Sequence, residues 1–528
     1  MWGILALVIL FVAAIRIRLL ALPLERDEGE YACIGQLLLH GVLPGKLAYS
    51  MKLPGTSAAY AVIMAVFGQT AAGIHLGLVL LNAATTALVF LLARRLMDGI
   101  GALVAAATFA LLSVSPAVYG TAAHAAHFVL LPALAGFLVL LRALERNGRW
   151  AFFAAGLLFG LAFLMKQPGI FFGIFGGVYL IYHEVRGRGQ MPWRSLAAKC
   201  ALFLPGAALP FALVCLVIYL AGDFGTFWFW TYSYAREYGG MESINKGFDN
   251  LMSGFEGVVG GGYFLWILAG LGTIQLCLRW KTWPNPVFAA GLILFSFFAV
   301  CPGFYFRNHY FILLLPAAGV AAGLMVDSAR NWFSKTTPFR FVPVVVFIAA
   351  WGCSVFQQGD VLLQLPPIAA CREMYAANPF PEAVEIAKYI KAHTNKNETV
   401  AVLGSEPEIC FYADRRPATG YIYMYPLTEP QPYELQMQRQ MIHEIETTKP
   451  AYVVLVGIVT SWDPSSPSSQ RVFDWFNSYS QQSLEPVGLV NILSPTQTEY
   501  HWKTEGHALP PRSDVFLEIF KRKSAVAK

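Results

Sequence analysis

Charged side chains crowd the exit of the first apolar run of this 528-residue chain: Arg26-Asp27-Glu28-Gly29-Glu30-Tyr31, with Lys52-Leu53-Pro54-Gly55 about twenty residues later. Acids at the lip of a bilayer-embedded bundle are expensive unless they are used. Asp27 or Glu28 can take a proton from a hydroxyl, with Glu30 as a neighbouring carboxylate, and Lys52 supplies positive charge. His124 and His127 are three residues apart and would share one face of a helix. Further along, Phe304-Tyr305-Phe306-Arg307-Asn308-His309-Tyr310 adds a second cation, another imidazole and a phenol. These residues point to chemistry on a lipid-borne substrate at a membrane surface, away from the cytosol.

The elements that must position them are mostly membrane-spanning. The chain is 56% hydrophobic and only 13% charged, unlike a soluble globular protein. Apolar runs of about 17 to 25 residues mark transmembrane helices. They fall near 2–22, 72–93, 99–119, 123–143, 151–166, 168–184, 200–221, 262–278, 285–302, 309–327 and 341–357, eleven in all. The first lacks a small-residue cleavage site and reads as an anchor.

Cations lie in alternate connections: Arg94 and Arg95; Arg142, Arg146 and Arg149; Arg186, Arg188, Arg194 and Lys199; Arg279 and Lys281; Arg330, Lys335 and Arg340. With eleven spans all fall on one side, which is therefore cytoplasmic, as is the amino terminus. This bias accounts for the net charge of +6 without a nucleic-acid partner. The 23–71 loop, the 222–261 loop and everything after 357 are then extracytoplasmic. Short helices are expected at Glu28–Leu39 and Gly55–Val66 in the first loop. The aromatic stretch 223–238 reads as a loop, either part of the interfacial belt or the wall of a lipid groove. Arg16 and Arg18, near the end of the first span, are expected to snorkel to headgroups.

The chain divides into a bundle, 1–357, and an extracytoplasmic α/β domain, 358–528. Helices are expected at 381–392, 434–447 and 471–482, and strands at 399–404, 451–457, 486–493 and 514–521. This domain either caps the bundle and orders its outer loops or binds an acceptor directly. The eight cysteines show neither a CxxC pair nor zinc-ligand spacing. Cys33, Cys371 and Cys410 lie outside, where a disulfide is permitted.

In this order and on this topology, the motifs resemble those of the GT-C glycosyltransferases, in the branch of protein O-mannosyltransferases and lipid A aminoarabinose transferases. Asp27-Glu28 resembles the acidic pair after the first span, and Lys52-Leu53-Pro54 the Lys-Pro-Pro element of the same loop. Gly160-Leu161-Ala162 with Lys166-Gln167-Pro168 resembles the fifth-span ending. Arg307-Asn308-His309-Tyr310 running into Leu315-Pro316-Ala317 resembles the outer start of a late helix. The stretch from Gly404-Ser405-Glu406-Pro407-Glu408 to Thr419 resembles the soluble domain of bacterial relatives.

The resemblance implies a polytopic GT-C membrane protein with a C-terminal α/β domain, in a bacterial inner membrane. It implies a polyprenyl-phosphate-linked sugar as donor, a lipid, glycan or protein hydroxyl as acceptor, and inversion at the anomeric carbon. A sugar ester of phosphate already has a good leaving group, so the site needs positive charge rather than a general acid. Lys52 and Arg307 are assigned to the phosphate, with His309 or His124 assisting and His127 and Tyr310 as secondary candidates. Asp27 is the base, and Glu28 and Glu30 keep a retaining, nucleophilic route open. Many relatives carry another acid near the start of the fourth span, where this chain has His124 and His127. No metal is expected to be obligatory, although a divalent ion on Asp27 and the histidines is compatible with the residues. Two alternatives remain: a flippase or transporter of lipid-linked sugars, and a non-catalytic polyprenyl-phosphate binder.

Overall fold

The computed structural model describes residues 1–146, 148–186, 193–464, 470–502 and 510–523; Arg188 lies outside them. A helix occupies each of the eleven apolar runs: Trp2–Arg18, Ala71–Ala93, Gly99–Leu112, Ala125–Arg146, Arg149–Met165, Gln167–Arg186, Trp193–Leu220, Tyr263–Leu278, Pro286–Val300, Asn308–Arg330 and Pro338–Gln357. Six of them are individually long and apolar enough to cross a bilayer. The Ile244–Gly260 and Tyr263–Leu278 helices form a seventh candidate, bent by 116° at the break between them. The molecule is a polytopic α-helical membrane protein with a C-terminal sheet.

Three local features aim the helices at one place. The Arg26–Leu39 helix starts with a reciprocal cap: the Glu25 carboxylate accepts the Glu28 amide at 2.8 Å and the Glu28 carboxylate accepts the Glu25 amide at 3.3 Å. That cap fixes Asp27 in the first turn. The Gly55–Phe67 helix begins against the end of the Arg149–Met165 helix, where a Cβ on Gly55 would lie 2.4 Å from the Leu164 carbonyl oxygen. The chain then breaks at Lys166, and Gln167 donates to the Met51 carbonyl at 2.7 Å. Lys52 is thereby held beside the break.

The 222–261 region is helical rather than a loop. Phe224–Trp228, a π-helical turn at Phe229–Tyr234, Ala235–Gly239 and Ile244–Gly260 follow one another. Arg16 does not snorkel. It is buried and donates to the Gly120 and Ser113 carbonyls at 2.8 and 2.7 Å, while Arg18 donates to backbone oxygens of Val361, Leu362 and Leu365.

The C-terminal sheet has six strands: β1 Thr399–Leu403, β2 Arg416–Pro417, β3 Tyr452–Gly457, β4 Leu484–Ser494, β5 Gln497–Trp502 and β6 Phe516–Arg522, in the order β2-β1-β3-β6-β4-β5. β2, β1 and β3 are parallel and the remaining pairings antiparallel. β1 and β3 are short β-branched runs buried on both faces, as central parallel strands require. Helices Phe380–Ala392, Glu434–Thr448 and Arg471–Ser483 lie where the pattern places them. β2, β5 and the Glu408–Ala413 helix were not anticipated.

The sheet region is pinned to the first loop. Arg26 donates to Glu406 at 2.9 Å, to the Ser405 carbonyl at 2.8 Å and to the Tyr425 hydroxyl at 3.0 Å. Gly29 lets the two helices touch: a Cβ there would lie 2.6 Å from the Glu408 carboxylate. All the cysteines are free thiols.

Candidate functional site

The outer charges converge on Asp27. Its Oδ1 accepts from the Lys52 ammonium at 2.7 Å, while Oδ2 faces His309 Nε2 at 3.6 Å and His124 Nδ1 at 3.9 Å. Lys52 also donates to Glu30 at 2.5 Å, and Ser50 donates to the other Glu30 oxygen at 2.5 Å. The two imidazoles are stacked, 4.3 Å between centroids and 9° from parallel. Burial alone would raise the Asp27 carboxyl, but Lys52, then His309 and His124, outweigh it and hold it well below the usual carboxylate range. Asp27 is therefore an anion with three potential proton or charge partners.

Except for His124, these residues border a cavity of about 220 Å³; His124 lies behind Asp27, on an adjoining cavity. Asp27, Glu30, Lys52, Arg307, His309 and Tyr310 all line it. Lys166 joins them, its ammonium 4.0 Å from the centre of the Tyr310 ring. The rest of the lining is largely apolar and aromatic, with Ala299, Val300, Trp230 and Tyr234. The sheet region closes the roof through Tyr423, Tyr425 and Glu429, the last accepting a hydrogen bond from Tyr234.

Two sequence-predicted residues lie elsewhere. Glu28 is fully buried, accepts the Ala123 amide at 2.6 Å and pairs with His75 at 3.0 Å, and does not line the cavity. His127 does not share a face with His124. The Ala125–Arg146 helix begins after His124, and His127 is buried and does not line the cavity at Asp27.

Backbone strain gathers at the same place. Among the described residues seven non-glycine positions have positive φ; two of them, Phe304 and Phe306, flank Gly303 and Arg307 of this cavity, and Tyr119 and Ala376 lie at the adjoining cavity behind Asp27. The bulky ones are outliers of the kind that persists where the surroundings over-determine a functional geometry. Phe304 and Phe306 precede Arg307 and set the direction in which Arg307 and His309 leave the chain.

A family model described as dolichyl-phosphate-mannose-protein mannosyltransferase matches residues 52–210. Among solved structures, ArnT from Cupriavidus metallidurans bound to undecaprenyl phosphate aligns with a TM-score of 0.61 at 14% identity, over 99% of this chain and 98% of that one. The Archaeoglobus fulgidus oligosaccharyltransferase in the apo form aligns at 0.54 and 11% identity, over 95% of this chain and 74% of that one. The chain has the GT-C fold. A complex of the Archaeoglobus enzyme with Zn and sulfate also aligns, at 0.54 and 12% identity, over 95% and 74% of the two chains. No curated protein matches by sequence.

The ligand atoms of Asp27, His124 and His309 lie within 4.8 Å of one another, and neither His124 nitrogen has a hydrogen-bond partner among the described residues. Three such donors with an open fourth position suit a divalent ion. A cation there would compete with Lys52 for Asp27.

Lys166, Glu25 and the roof tyrosines escaped the sequence-level assignment of site residues. A lysine in the break between two apolar runs is a signal in itself, since nothing in a continuous helix would need it. Glu25 could have been found from the Glu25-x-x-Glu28 spacing of a helix start. The roof residues carry no local signal.

Proposed function

We propose that the chain is a glycosyltransferase that moves a sugar from a polyprenyl-phosphate donor to an extracytoplasmic hydroxyl, with inversion. The observation that carries this is one cavity holding the Asp27 carboxylate, the Lys52 ammonium and the Arg307 guanidinium against a largely apolar wall. The undecaprenyl phosphate in the similar ArnT structure supports a lipid phosphate as the ligand class. The acceptor oxygen attacks the anomeric carbon as its bond to the phosphate oxygen breaks. The bonding pair leaves with the polyprenyl phosphate, and the acceptor proton passes to Asp27. Lys52 and Arg307, with Lys166, balance the charge gathering on the departing phosphate. His309 and His124 flank the free oxygen of Asp27 without hydrogen-bonding it, and Tyr310 carries Lys166 on its ring.

Asp27 is a weak base, adequate for a late proton transfer from an oxygen already bonding to an oxocarbenium-like carbon. Glu30 orients Lys52 rather than attacking the sugar, because both of its oxygens are engaged. Glu28 is a brace: it joins the first-loop helix to His75 and to the backbone just before His124. Metal is not required in this scheme, since Lys52 supplies the charge at Asp27.

The bundle is assigned to 1–357 and the extracytoplasmic domain to 358–528, in a bacterial inner membrane with the amino terminus cytoplasmic. The domain roofs the cavity through Tyr423, Tyr425 and Glu429, which favours a part in substrate binding over simple capping. The test is transfer by purified protein in nanodiscs, with a panel of polyprenyl-phosphate sugars and envelope extract as acceptor. Release of polyprenyl phosphate that depends on Asp27 supports the scheme. Movement of labelled lipid between leaflets without turnover would replace it with a flippase.

A further inference from the structure

A second cavity, about 280 Å³, lies against the first and shares with it Asp27, Arg307, His309, Tyr423 and Tyr425. Asp27 therefore stands on the partition between two chambers. The remaining walls of the second are different in kind. Tyr119 and Tyr375 are stacked, 5.1 Å between ring centroids and 22° from parallel, and Phe380 meets Tyr375 edge-on at 5.3 Å. Asn308, Asn378, Glu25 and Arg26 form the polar edge.

Resting on the donor reading of the first cavity, we infer that the second cavity binds a neutral saccharide acceptor, its ring laid on the Tyr119–Tyr375 platform and one hydroxyl directed at Asp27. Three observations bear on this class. An aromatic platform with amide side chains at its rim suits a ring that has an apolar C–H face and an equatorial edge of hydroxyls. The Tyr375 hydroxyl and both His124 nitrogens are buried without hydrogen-bond partners among the described residues, and a ligand with several hydroxyls offers partners for such groups. The platform is also held under strain: Tyr119 has φ 50° and Ala376, directly after Tyr375, has φ 51°.

The charges argue against a phosphorylated acceptor. Arg26 is committed to Glu406, the Ser405 carbonyl, Tyr425 and Asn378. Arg307 is shared with the donor chamber, and the second chamber carries both Glu25 and Asp27. No strand residue is among the described residues lining this cavity, so it offers no edge to which an extended peptide could add as a strand.

The experiment is saturation-transfer NMR on the full chain in nanodiscs. The probes are methyl glycosides of the common hexoses and N-acetylhexosamines, with a Ser/Thr-bearing peptide alongside, and undecaprenyl phosphate binding is measured separately. At least one glycoside should give saturable transfer. Tyr375→Ala and Tyr119→Ala should each weaken it about tenfold or more, while undecaprenyl phosphate binding by the folded variants stays as in wild type even where truncation lowers thermal stability. Tyr375→Phe, which keeps the stacking and removes only the hydroxyl, should weaken it less than Tyr375→Ala. Binding of no glycoside, equal binding in the folded platform variants, or binding of the peptide alone would overturn the inference. If undecaprenyl phosphate fails to bind while a glycoside binds in a Tyr375-dependent way, the saccharide site stands and the donor assignment falls.

Discussion

Replacing Asp27 by Asn separates the chemical role of this residue from its structural one. Asn keeps the size of the side chain and one oxygen that can still accept from Lys52, now 2.7 Å from Oδ1. Lys52 also retains Glu30 at 2.5 Å, so its ammonium is not left alone. The protein should therefore fold and bind undecaprenyl phosphate as wild type does. What is lost is the proton acceptor. A positioned general base is worth about 10²–10⁴ in rate, roughly 3–5 kcal/mol of barrier. Single-turnover release of labelled polyprenyl phosphate at saturating donor should fall by that factor, without a matching rise in the donor concentration needed for half saturation. The pH profile adds an independent check. The Asp27 carboxyl is depressed below its unfolded value of about 3.9. Its ionised form, and the stability it contributes, is present above that value and is lost only as the pH falls through the lower folded value. The wild-type rate should thus show no acid limb from Asp27 between about pH 5 and 8. Turnover within tenfold of wild type in a folded Asp27→Asn protein, or an acid limb near pH 6 that this substitution abolishes, would refute the reasoning.

Lys52→Ala leaves the Asp27 and Glu30 carboxylates uncompensated in a mostly buried setting. It should lower stability by roughly 3–5 kcal/mol and sharply weaken donor use. Lys52→Met with Glu30→Gln should recover thermal stability in part but not donor use, as read by thermal denaturation and donor titration. Glu408 is fully buried, and burial, then the charge of Glu406, pushes its carboxyl well above the usual range. A raised folded value gives stability that is present below the unfolded value and lost as the pH rises through the folded one. Glu408→Gln should therefore melt higher than wild type at pH 8, with the difference shrinking toward pH 4–5. Gly55→Ala drives a Cβ against the Leu164 carbonyl oxygen and should destabilise by about 1–3 kcal/mol, raising the donor KM as Lys52 shifts. Chelation with EDTA should leave transfer intact; loss restored by added zinc or manganese would transfer Asp27, His124 and His309 to a metal site.

The contrast between the legible and illegible parts of this chain follows the range of the forces involved. The eleven apolar runs were readable because bilayer-length apolarity is a local property, and the central strands because β1 and β3 are short β-branched runs. β5, Gln497–Trp502, sits at the sheet edge with polar and aromatic residues alternating and little burial, so it carries no such pattern. Aromatics on every side of 224–238 erase helical periodicity there, whereas Ile244–Gly260 carries Ile244, Phe248, Leu251, Phe255 and Val258 at helical spacing and was legible as an amphipathic helix. At the site, topology was enough to bring Asp27, Lys52, His124, Arg307 and His309 to one face, because alternating cations fix the side on which each connection lies. It could not say which polar side chains turn inward. Glu28 and Asp27 are adjacent in sequence with the same chemistry, yet the Glu25–Glu28 cap turns one toward His75 and leaves the other facing the cavity. A single reciprocal hydrogen-bond pair thus separates a brace from the proposed base. The roof is further still from sequence: Tyr423, Tyr425 and Glu429 reach the cavity because Arg26, with Leu24, Gln36 and Tyr49, ties the sheet region to the first loop that carries Asp27. That coupling has a consequence for any variant of Arg26. Removing it leaves Glu406 buried without its cation and loosens the roof beside Tyr425, so it should disturb donor and acceptor use together while Asp27, Lys52 and His309 remain in place.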